Sequence, residues 1–191
     1  MARPSRIPEQ RRRLIPTVAS AFAELGYHRA TTALIARRCR VRENILYRLW
    51  RDKKDMFLAA IRYVYDLSME TWTAAAREGR GAAILSGLDY ESRHIGEFGN
   101  YRVLFAALTE TDDPDVRSAL RRMYRDMHRF LSARVGEFRG AGRRSRREVE
   151  LVAWGLIALG TYSTIARELD LAPRATRSGL LADLGRRLVG G

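Results

Sequence analysis

The chain has 191 residues, of which 46% are hydrophobic, and a formal net charge of +13 at pH 7. This length and composition suffice for a sizeable hydrophobic core, and the lack of repeats or low-complexity segments excludes a mainly disordered chain. The single cysteine, Cys39, cannot form a disulfide within one chain. Since no targeting or transmembrane segment is recognisable either, a cytoplasmic protein that does not enter a membrane is expected.

Basic residues dominate the first quarter of the chain. Residues 1–54 hold 14 Lys and Arg against 4 Asp and Glu, a net charge of +10, whereas residues 55–191 carry a net charge of +3. Arg3, Arg6 and the arginines at 11–13 predict a basic arm suited to a DNA backbone or minor groove. Pro16 disfavours helical geometry at the residue before it, so the first helix is expected to start close to Pro16.

Residues 31–53 carry the pattern of two short helices joined by a tight bend. Apolar residues recur at helical spacing on both sides of it: Ile35, Ala36 and Cys39 before, and Val41, Leu46, Leu49 and Trp50 after. The four residues 39–42 between the two stripes match the bend of a helix-turn-helix unit, whose second helix is expected to face outward. Thr31 or Thr32 is expected to cap the first helix of this two-helix unit. Asp52 with Asp55 is expected to cap the helix that follows the unit.

The remaining residues, about 56–191, are predicted to form about six more helices, which gives an all-α protein of about nine. Breaks are expected at 79–81, 99–100, 111–114, 136–142 and 171–173. Asp113 before Pro114, and the capping box formed by Ser145 and Glu148, mark two helix starts.

Residues 151–166 contain no charged side chain and are apolar on every side, so this helix must be covered on all faces. The stretch is shorter than the roughly 20 residues that a membrane span needs, so burial between its own domain and a partner subunit is expected. Gly155 and Gly160 would let another helix approach closely. The last helix, about 174–188, carries four leucines on one stripe: Leu180, Leu181, Leu184 and Leu188.

Aromatic and imidazole side chains cluster in the middle of the C-terminal region, as expected of a small-molecule pocket between helices. Each of them is also compatible with an ordinary core position. The ten residues are Trp72, Tyr90, His94, Phe98, Tyr101, Phe105, Tyr124, His128, Trp154 and Tyr162.

The N-terminal charge favours nucleic acid, because a basic surface releases condensed counterions when it meets a phosphate backbone. Charge alone is equally compatible with a solvated basic face, an anionic membrane or an acidic partner. The combination of this charge with the two-helix unit favours DNA strongly.

The first 57 or so residues resemble the TetR family, the tetracycline-repressor-like bacterial transcription regulators. Arg13-Leu14-Ile15, Ala19, Phe22-Ala23 and Gly26-Tyr27 are similar to the family's first helix and its glycine-aromatic stop. The similarity continues through Thr32, Ile35-Ala36, Val41, Leu46-Tyr47, Trp50 in the usual Phe place, and Lys53. The resemblance implies an all-helical homodimer with an N-terminal three-helix DNA-binding domain, residues 1–54, and a C-terminal effector-binding and dimerisation domain, residues 55–191.

The resemblance also implies roles for single residues. Thr32 and Lys53 are expected near phosphates, Tyr47 on a phosphate or a base edge, and Glu43, Asn44 and Arg48 in the major groove. Asn pairs with adenine, Arg with guanine and Glu with cytosine, so these residue types suit base readout, although polar surface residues are the alternative. The dimer interface implied by the final two helices comprises Trp154, Gly155, Ala158, Tyr162, Leu180, Leu181, Leu184 and Leu188.

Two residues of the bend depart from the family pattern. Arg40 stands where Gly is preferred, and a non-Gly residue in a left-handed conformation costs roughly 1 kcal/mol or more. Arg42 stands where a Ser-like cap is preferred and has no capping oxygen. Either the turn differs, or the added charge offsets the cost by contacting phosphates.

Three functions follow, in falling order: a dimeric repressor that binds a near-palindromic double-stranded DNA operator and is released by a small hydrophobic or aromatic ligand, a dimeric DNA-binding regulator without an effector, and a helical enzyme or adaptor. An enzyme is disfavoured, and no cofactor or metal is expected. Glu91-x-x-His94 is a lone Glu-x-x-His pair, whereas a carboxylate-bridged two-metal site needs a second copy.

Overall fold

A computed structural model describes residues 6–78, 82–96, 99–140 and 145–190. These ranges contain nine helices and no strand, which confirms the predicted all-α fold. The helices are α1 Ile7–Arg29, α2 Thr32–Arg38, α3 Glu43–Leu49, α4 Lys53–Glu78, α5 Ala83–His94, α6 Arg102–Leu108, α7 Pro114–Arg139, α8 Arg146–Glu168, and α9, which continues from Arg174–Gly179 through a π-helical turn at Leu180–Leu184 to Gly185–Gly190. The predicted breaks at 79–81 and 141–142 lie outside the described residues.

The chain forms two compact units. The first comprises Met1–Asp66 with Gly99–Met123, and the second comprises Leu67–Phe98 with Tyr124–Gly191. The first unit therefore contains α1 to α3, the start of α4, α6 and the start of α7. The functional boundary expected at residues 54 and 55 stays a prediction.

Helix α1 begins at Ile7, nine residues before Pro16, so the expectation that it starts close to Pro16 was wrong. Pro8 lies in the first turn, where a missing N–H costs nothing. Inside the helix Pro16 costs about 3 kcal/mol. Leu14, Val18 and Phe22 are buried on one face, and each such side chain contributes about 1.5–3 kcal/mol, which offsets that cost.

The core of the first unit lies between α1, α2, α3 and the start of α4. Phe22, Ile35, Leu46 and Phe57 are fully buried in it. The rings of Phe22 and Phe57 lie 4.9 Å apart between centroids. Gly26, at φ +68°, interrupts the helical geometry of α1 near its end, where the resemblance places the family's stop.

Side-chain caps begin the helices at the predicted positions. Thr31, rather than Thr32, caps α2 by accepting a hydrogen bond from the Leu34 N–H at 3.3 Å. Asp52 accepts from the Asp55 N–H at 2.7 Å before α4, and Asp113 accepts from the Asp115 N–H at 2.8 Å at the start of α7. The capping box of Ser145 and Glu148 is present at α8.

The bend between α2 and α3 has the hydrogen bonds of a Schellman motif. The Val41 N–H donates to the Ala36 carbonyl at 3.0 Å, and the Arg40 N–H donates to the Arg37 carbonyl at 3.1 Å. Arg40 has φ +54°, so it adopts the left-handed conformation usually given to Gly. Arg42 precedes α3 without a side-chain capping bond. The turn therefore keeps its usual geometry despite both unusual residues.

The second unit packs helices closely at glycines. Trp72 of α4 lies over Gly87 of α5, where an added Cβ would come within 2.1 Å of the indole. Gly185 of α9 lies against Leu88, 3.2 Å from an added Cβ. Leu181 of α9 is buried, whereas Leu188 remains exposed.

Arg40→Gly is expected to raise the free energy of unfolding by about 1 kcal/mol, because glycine adopts a positive φ without steric cost. Arg40→Ala is the matched control, since it removes the same side chain but keeps a Cβ at φ +54°. Urea denaturation measures both. Equal stability of the two variants would contradict strain at this position.

Candidate nucleic-acid interface

Helix α3 has a buried face and an exposed face. Leu46 and Leu49 pack into the core, while Asn44, Tyr47 and Arg48 point to solvent. Tyr47 is 49% exposed although it is a large aromatic residue. The seven-residue helix therefore presents one amide, one phenol and one guanidinium on its outer side.

Thr32 connects the start of α2 with α3. Its hydroxyl donates a short hydrogen bond to the Glu43 carboxylate, and its oxygen lies 3.1 Å from the Tyr47 hydroxyl. With its proton directed at Glu43, Thr32 accepts from Tyr47. Three residues for which the resemblance implies DNA contacts thus bind one another, and Glu43 is half-buried rather than freely exposed.

The beginning of α1 is bound to α3, a feature that the sequence did not predict. Arg11 donates from Nε to the Leu49 carbonyl at 2.6 Å, at the C-terminal end of α3. Arg48 donates from Nη2 to Gln10 Oε1 at 2.9 Å. Of the predicted basic arm, Arg11 thus has a structural partner, and Arg3 lies outside the described residues. Helical spacing alone gives no signal for these contacts, because they join residues 38 positions apart.

Lys53 lies at the start of α4 and faces the end of α1. Its Nζ donates to the Tyr27 carbonyl at 3.1 Å and lies 4.3 Å from the centroid of the Tyr27 ring. The ammonium group therefore fixes the junction after Gly26. Its expected phosphate contact stays a prediction.

Exposed arginines surround α3 and the bend. Arg37, Arg40, Arg42 and Arg51 are all exposed. Arg51 forms an ion pair with Asp52 at 3.3 Å. Arg38 forms an ion pair with Glu24 at 2.7 Å, and its hydrogen bond lowers the pKa of that carboxyl group. The electrostatics of this side of the first unit favour a polyanion.

The aromatic residues predicted for a ligand pocket divide between the two units. Tyr101 and Phe105 belong to the first unit, the other described residues belong to the second, and Phe98 lies outside the described residues. His128 and Trp154 stack at 4.4 Å, as do Tyr90 and His94 at 4.2 Å. A ligand pocket built from this set stays a prediction.

The Glu-x-x-His pair has internal partners. Trp72 donates from its indole N–H to Glu91 at 2.9 Å, and burial raises the pKa of the Glu91 carboxyl group. His94 Nδ1 lies 2.9 Å from the Tyr90 carbonyl. Within the described residues, no group of three or more His, Cys, Asp or Glu side chains is placed to hold a metal ion.

The residues predicted for a dimer interface lie on α8 and α9. Trp154, Ala158, Tyr162, Leu184 and Leu188 are exposed, although four of them are large hydrophobic residues. Gly155 approaches α9, since an added Cβ would lie 3.3 Å from Leu188. In the described part of the chain, α8 is also the one helix long and apolar enough to cross a membrane by length and composition, and 28% of its most apolar window is buried.

Known proteins are similar to this chain both in the helix-turn-helix region and in the fold. Residues 18–60 match the family model described as bacterial regulatory proteins, tetR family. A TetR-family transcriptional regulator from Cytophaga hutchinsonii is 17% identical with a TM-score of 0.78, covering 100% of this chain and 98% of its own. The fatty acid degradation regulator FadR from Bacillus halodurans is 13% identical with a TM-score of 0.75, covering 100% and 98%. A transcriptional regulator from Saccharomonospora viridis in complex with choline is 20% identical with a TM-score of 0.68, covering 96% and 94%. No curated protein matches the chain.

Helices α2 and α3 are short and are joined at a residue in the left-handed conformation, and α3 is exposed beside several arginines. This arrangement defines a helix-turn-helix protein of the DNA-binding class. The match over this region confirms the family expected from the sequence. Residues 18–60 therefore form a DNA-binding region of the TetR type, and the chain has the fold of TetR-family transcriptional regulators.

Glu91→Gln is expected to make stability less dependent on pH. Because the folded pKa of Glu91 is raised, its contribution to stability is intact near pH 4 and is lost as the pH rises through the folded pKa. The Gln amide oxygen still accepts from Trp72 and carries no charge. The free energy of unfolding of the variant should equal that of the wild type near pH 4 and exceed it at pH 7.

Chemical denaturation across this pH range measures the difference. Glu70→Gln, which changes an exposed carboxylate on the same helix as Trp72, is the control and should show no such trend. A Glu91→Gln variant less stable than the wild type at pH 7 would contradict a buried carboxyl group that is costly to ionise.

Proposed function

We propose that the protein is a homodimeric repressor that binds a near-palindromic operator and is released by a small ligand. The observation that carries the DNA-binding part is the outer face of α3, where Asn44, Tyr47 and Arg48 are exposed together beside the basic bend. An Asn pairs with adenine through two hydrogen bonds and an Arg with guanine O6 and N7. This is the chemistry that base readout in the major groove requires.

Some residues around α3 contact bases, and others hold the helix in position. Asn44 and Arg48 contact base edges, and Tyr47 contacts a phosphate or a base edge. Thr32 and Glu43 hold α3 in place through their hydrogen bond. Because its carboxylate already accepts from Thr32, Glu43 is less available to accept from a base. Arg40 and Arg42 contact phosphates at the N-terminal end of α3, as does Lys53 at the start of α4.

The purified protein should be titrated with the DNA upstream of its own gene and with scrambled DNA at several salt concentrations. A specific regulator should prefer the upstream fragment by a ratio above about 10³ at physiological salt. Equal and steeply salt-dependent binding to both DNAs would leave a merely basic helical protein and would contradict the proposal.

Asn44→Ala is expected to weaken operator binding at one base pair per half-site, by about 1–3 kcal/mol, and to relax specificity there. Arg42→Ala should instead weaken binding to all sequences alike and reduce the slope of log affinity against log salt by about 1. Binding to an operator set with every single-base change measures both effects. Base-selective loss on changing Arg42 would contradict its assignment to phosphate.

The proposal of a homodimer is supported by the apolar face of α8 and α9. Leu151, Trp154 and Tyr162 recur on one side of α8, and Leu184 with Leu188 continue the exposed hydrophobic surface on α9. Exposed hydrophobic patches of this kind mark interaction sites. A two-fold contact, in which the same patch meets itself, covers this face in both subunits and presents two copies of α3.

Trp154→Glu is expected to convert the dimer to a monomer, because each interface would bury two unpaired carboxylates. Leu108→Glu is the matched control, since Leu108 is an exposed leucine on α6 in the first unit. Analytical ultracentrifugation of both variants measures the oligomeric state. A wild-type protein that is monomeric at micromolar concentration would contradict the proposed dimer.

A small-molecule effector is the remaining part of the proposal. It is supported by a protein of the same fold, the Saccharomonospora viridis regulator, which was determined in complex with choline. A hydrophobic or aromatic compound suits the clustered aromatic residues of the second unit. Binding would favour a dimer whose recognition helices no longer match the ~34 Å spacing of successive major grooves. A dimeric regulator without an effector is the alternative, and it predicts operator binding that no small compound alters.

A further inference from the structure

A cleft rich in arginine lies in the second unit, where the end of α5 meets the end of α8 and the start of α9. Its volume is about 180 Å³. Four arginines line it together with two serines and one isoleucine, and none of the described residues that line it is acidic: Arg93, Arg167, Arg174, Arg177, Ser92, Ser178 and Ile95.

Two of the arginines are positioned by the C-terminal end of α5. Arg167 donates from Nη1 to the Ile95 carbonyl at 3.0 Å, and Arg174 donates from Nη2 to the Arg93 carbonyl at 3.4 Å. A helix C-terminus carries partial negative charge and favours such cations. Each guanidinium has five N–H donors, and these contacts use one donor apiece, so further donors remain for a bound group.

Glycine helps to place the Arg167 side chain. Gly96 has φ +70°, and a Cβ added there would lie 3.0 Å from Arg167 Cδ. The aliphatic part of Arg167 therefore lies directly against the backbone after α5. The guanidinium group is pre-organised at the cleft rather than extended into solvent.

Charge in the cleft is only weakly compensated. Among the described residues, Arg177 is the only one of the four arginines that forms an ion pair, with Asp170 at 3.4 Å. The Asp170 side chain is 96% exposed, so water screens this pair strongly. Arg177 also donates to the Ala172 carbonyl, which holds it at the cleft. Like charges that lie close together repel each other, and an anion that enters the cleft would relieve this repulsion.

We propose that this cleft binds a small multivalent oxyanion, namely the phosphate group or paired carboxylates of a small organic molecule. The planar fork of a guanidinium group matches both anions with two parallel hydrogen bonds. Pockets for drug-sized ligands have volumes of about 300–1,000 Å³, so the smaller cleft suits a charged group rather than a large hydrophobic compound. This site is separate from the aromatic set, and anion binding here does not depend on the DNA-binding function.

Isothermal titration of the full chain with inorganic pyrophosphate and, separately, with citrate tests the proposal in a chloride buffer at low ionic strength. One saturable site per chain is expected. Arg174→Gln should weaken binding at least about tenfold, the loss that corresponds to one charge-assisted hydrogen bond. Tighter binding of pyrophosphate would identify phosphate chemistry, and tighter binding of citrate would identify carboxylate chemistry.

Two control variants separate this cleft from the general basic surface. Arg129→Gln removes an exposed arginine elsewhere in the second unit, and Arg117→Gln removes an exposed arginine of α7 in the first unit. Neither should change the affinity. A second cleft variant, Arg167→Lys, keeps the charge but loses the fork and should also bind more weakly. Absence of saturable binding to the wild type, or equal weakening by Arg129→Gln or Arg117→Gln, would overturn the proposal.

Discussion

Helix α3 contains two turns, and a helix this short has no stability of its own in water. Its position therefore depends on the contacts that hold it to α1 and α2. Leu46 and Leu49 anchor one face in the core, while the Thr32–Glu43–Tyr47 hydrogen bonds fix the first turns and the Arg11–Leu49 bond fixes the end. The same contacts leave the opposite face exposed. A rigidly held polar face is what selective readout of base edges requires, because a misplaced donor pairs with no base.

The two units place different chemistry at the surface. Around α3 the first unit exposes arginines, including Arg40 at a conformation that costs about 1 kcal/mol. The proposed phosphate contacts would offset that cost only in the DNA complex. Arg40 therefore lowers the stability of the free protein and raises its affinity for DNA. On α8 and α9 the second unit exposes large hydrophobic residues, which suits a protein contact, and its arginine cleft at the end of α5 suits a small anion. Regulation by a ligand would require that the two units be coupled.

Local sequence patterns predicted the helix-turn-helix unit and four helix starts, because caps and helical spacing act within a few residues. Thr31, Asp52, Asp113 and Ser145 all begin helices as expected. The prediction that α1 begins near Pro16 was wrong, because burial of apolar side chains along α1 outweighs the cost of a proline inside a helix. The sequence alone does not show which of these two effects is larger. The Arg48–Gln10 bond and the arginine cleft could not be predicted, because they join residues that are far apart in sequence and meet only after helices pack. The roles of single DNA-facing residues and of the aromatic set remain predictions for the same reason, since exposure and spacing do not identify a partner.

The most direct test of the account is methylation protection of guanine N7 on the operator, because this atom lies in the major groove where α3 is proposed to bind. The account predicts two clusters of protected guanines about 34 Å, or one helical turn, apart, with protection lost on changing Arg48 to Ala. Protection that is absent, or that is spread evenly along the DNA and unchanged in the Arg48 variant, would contradict readout by α3.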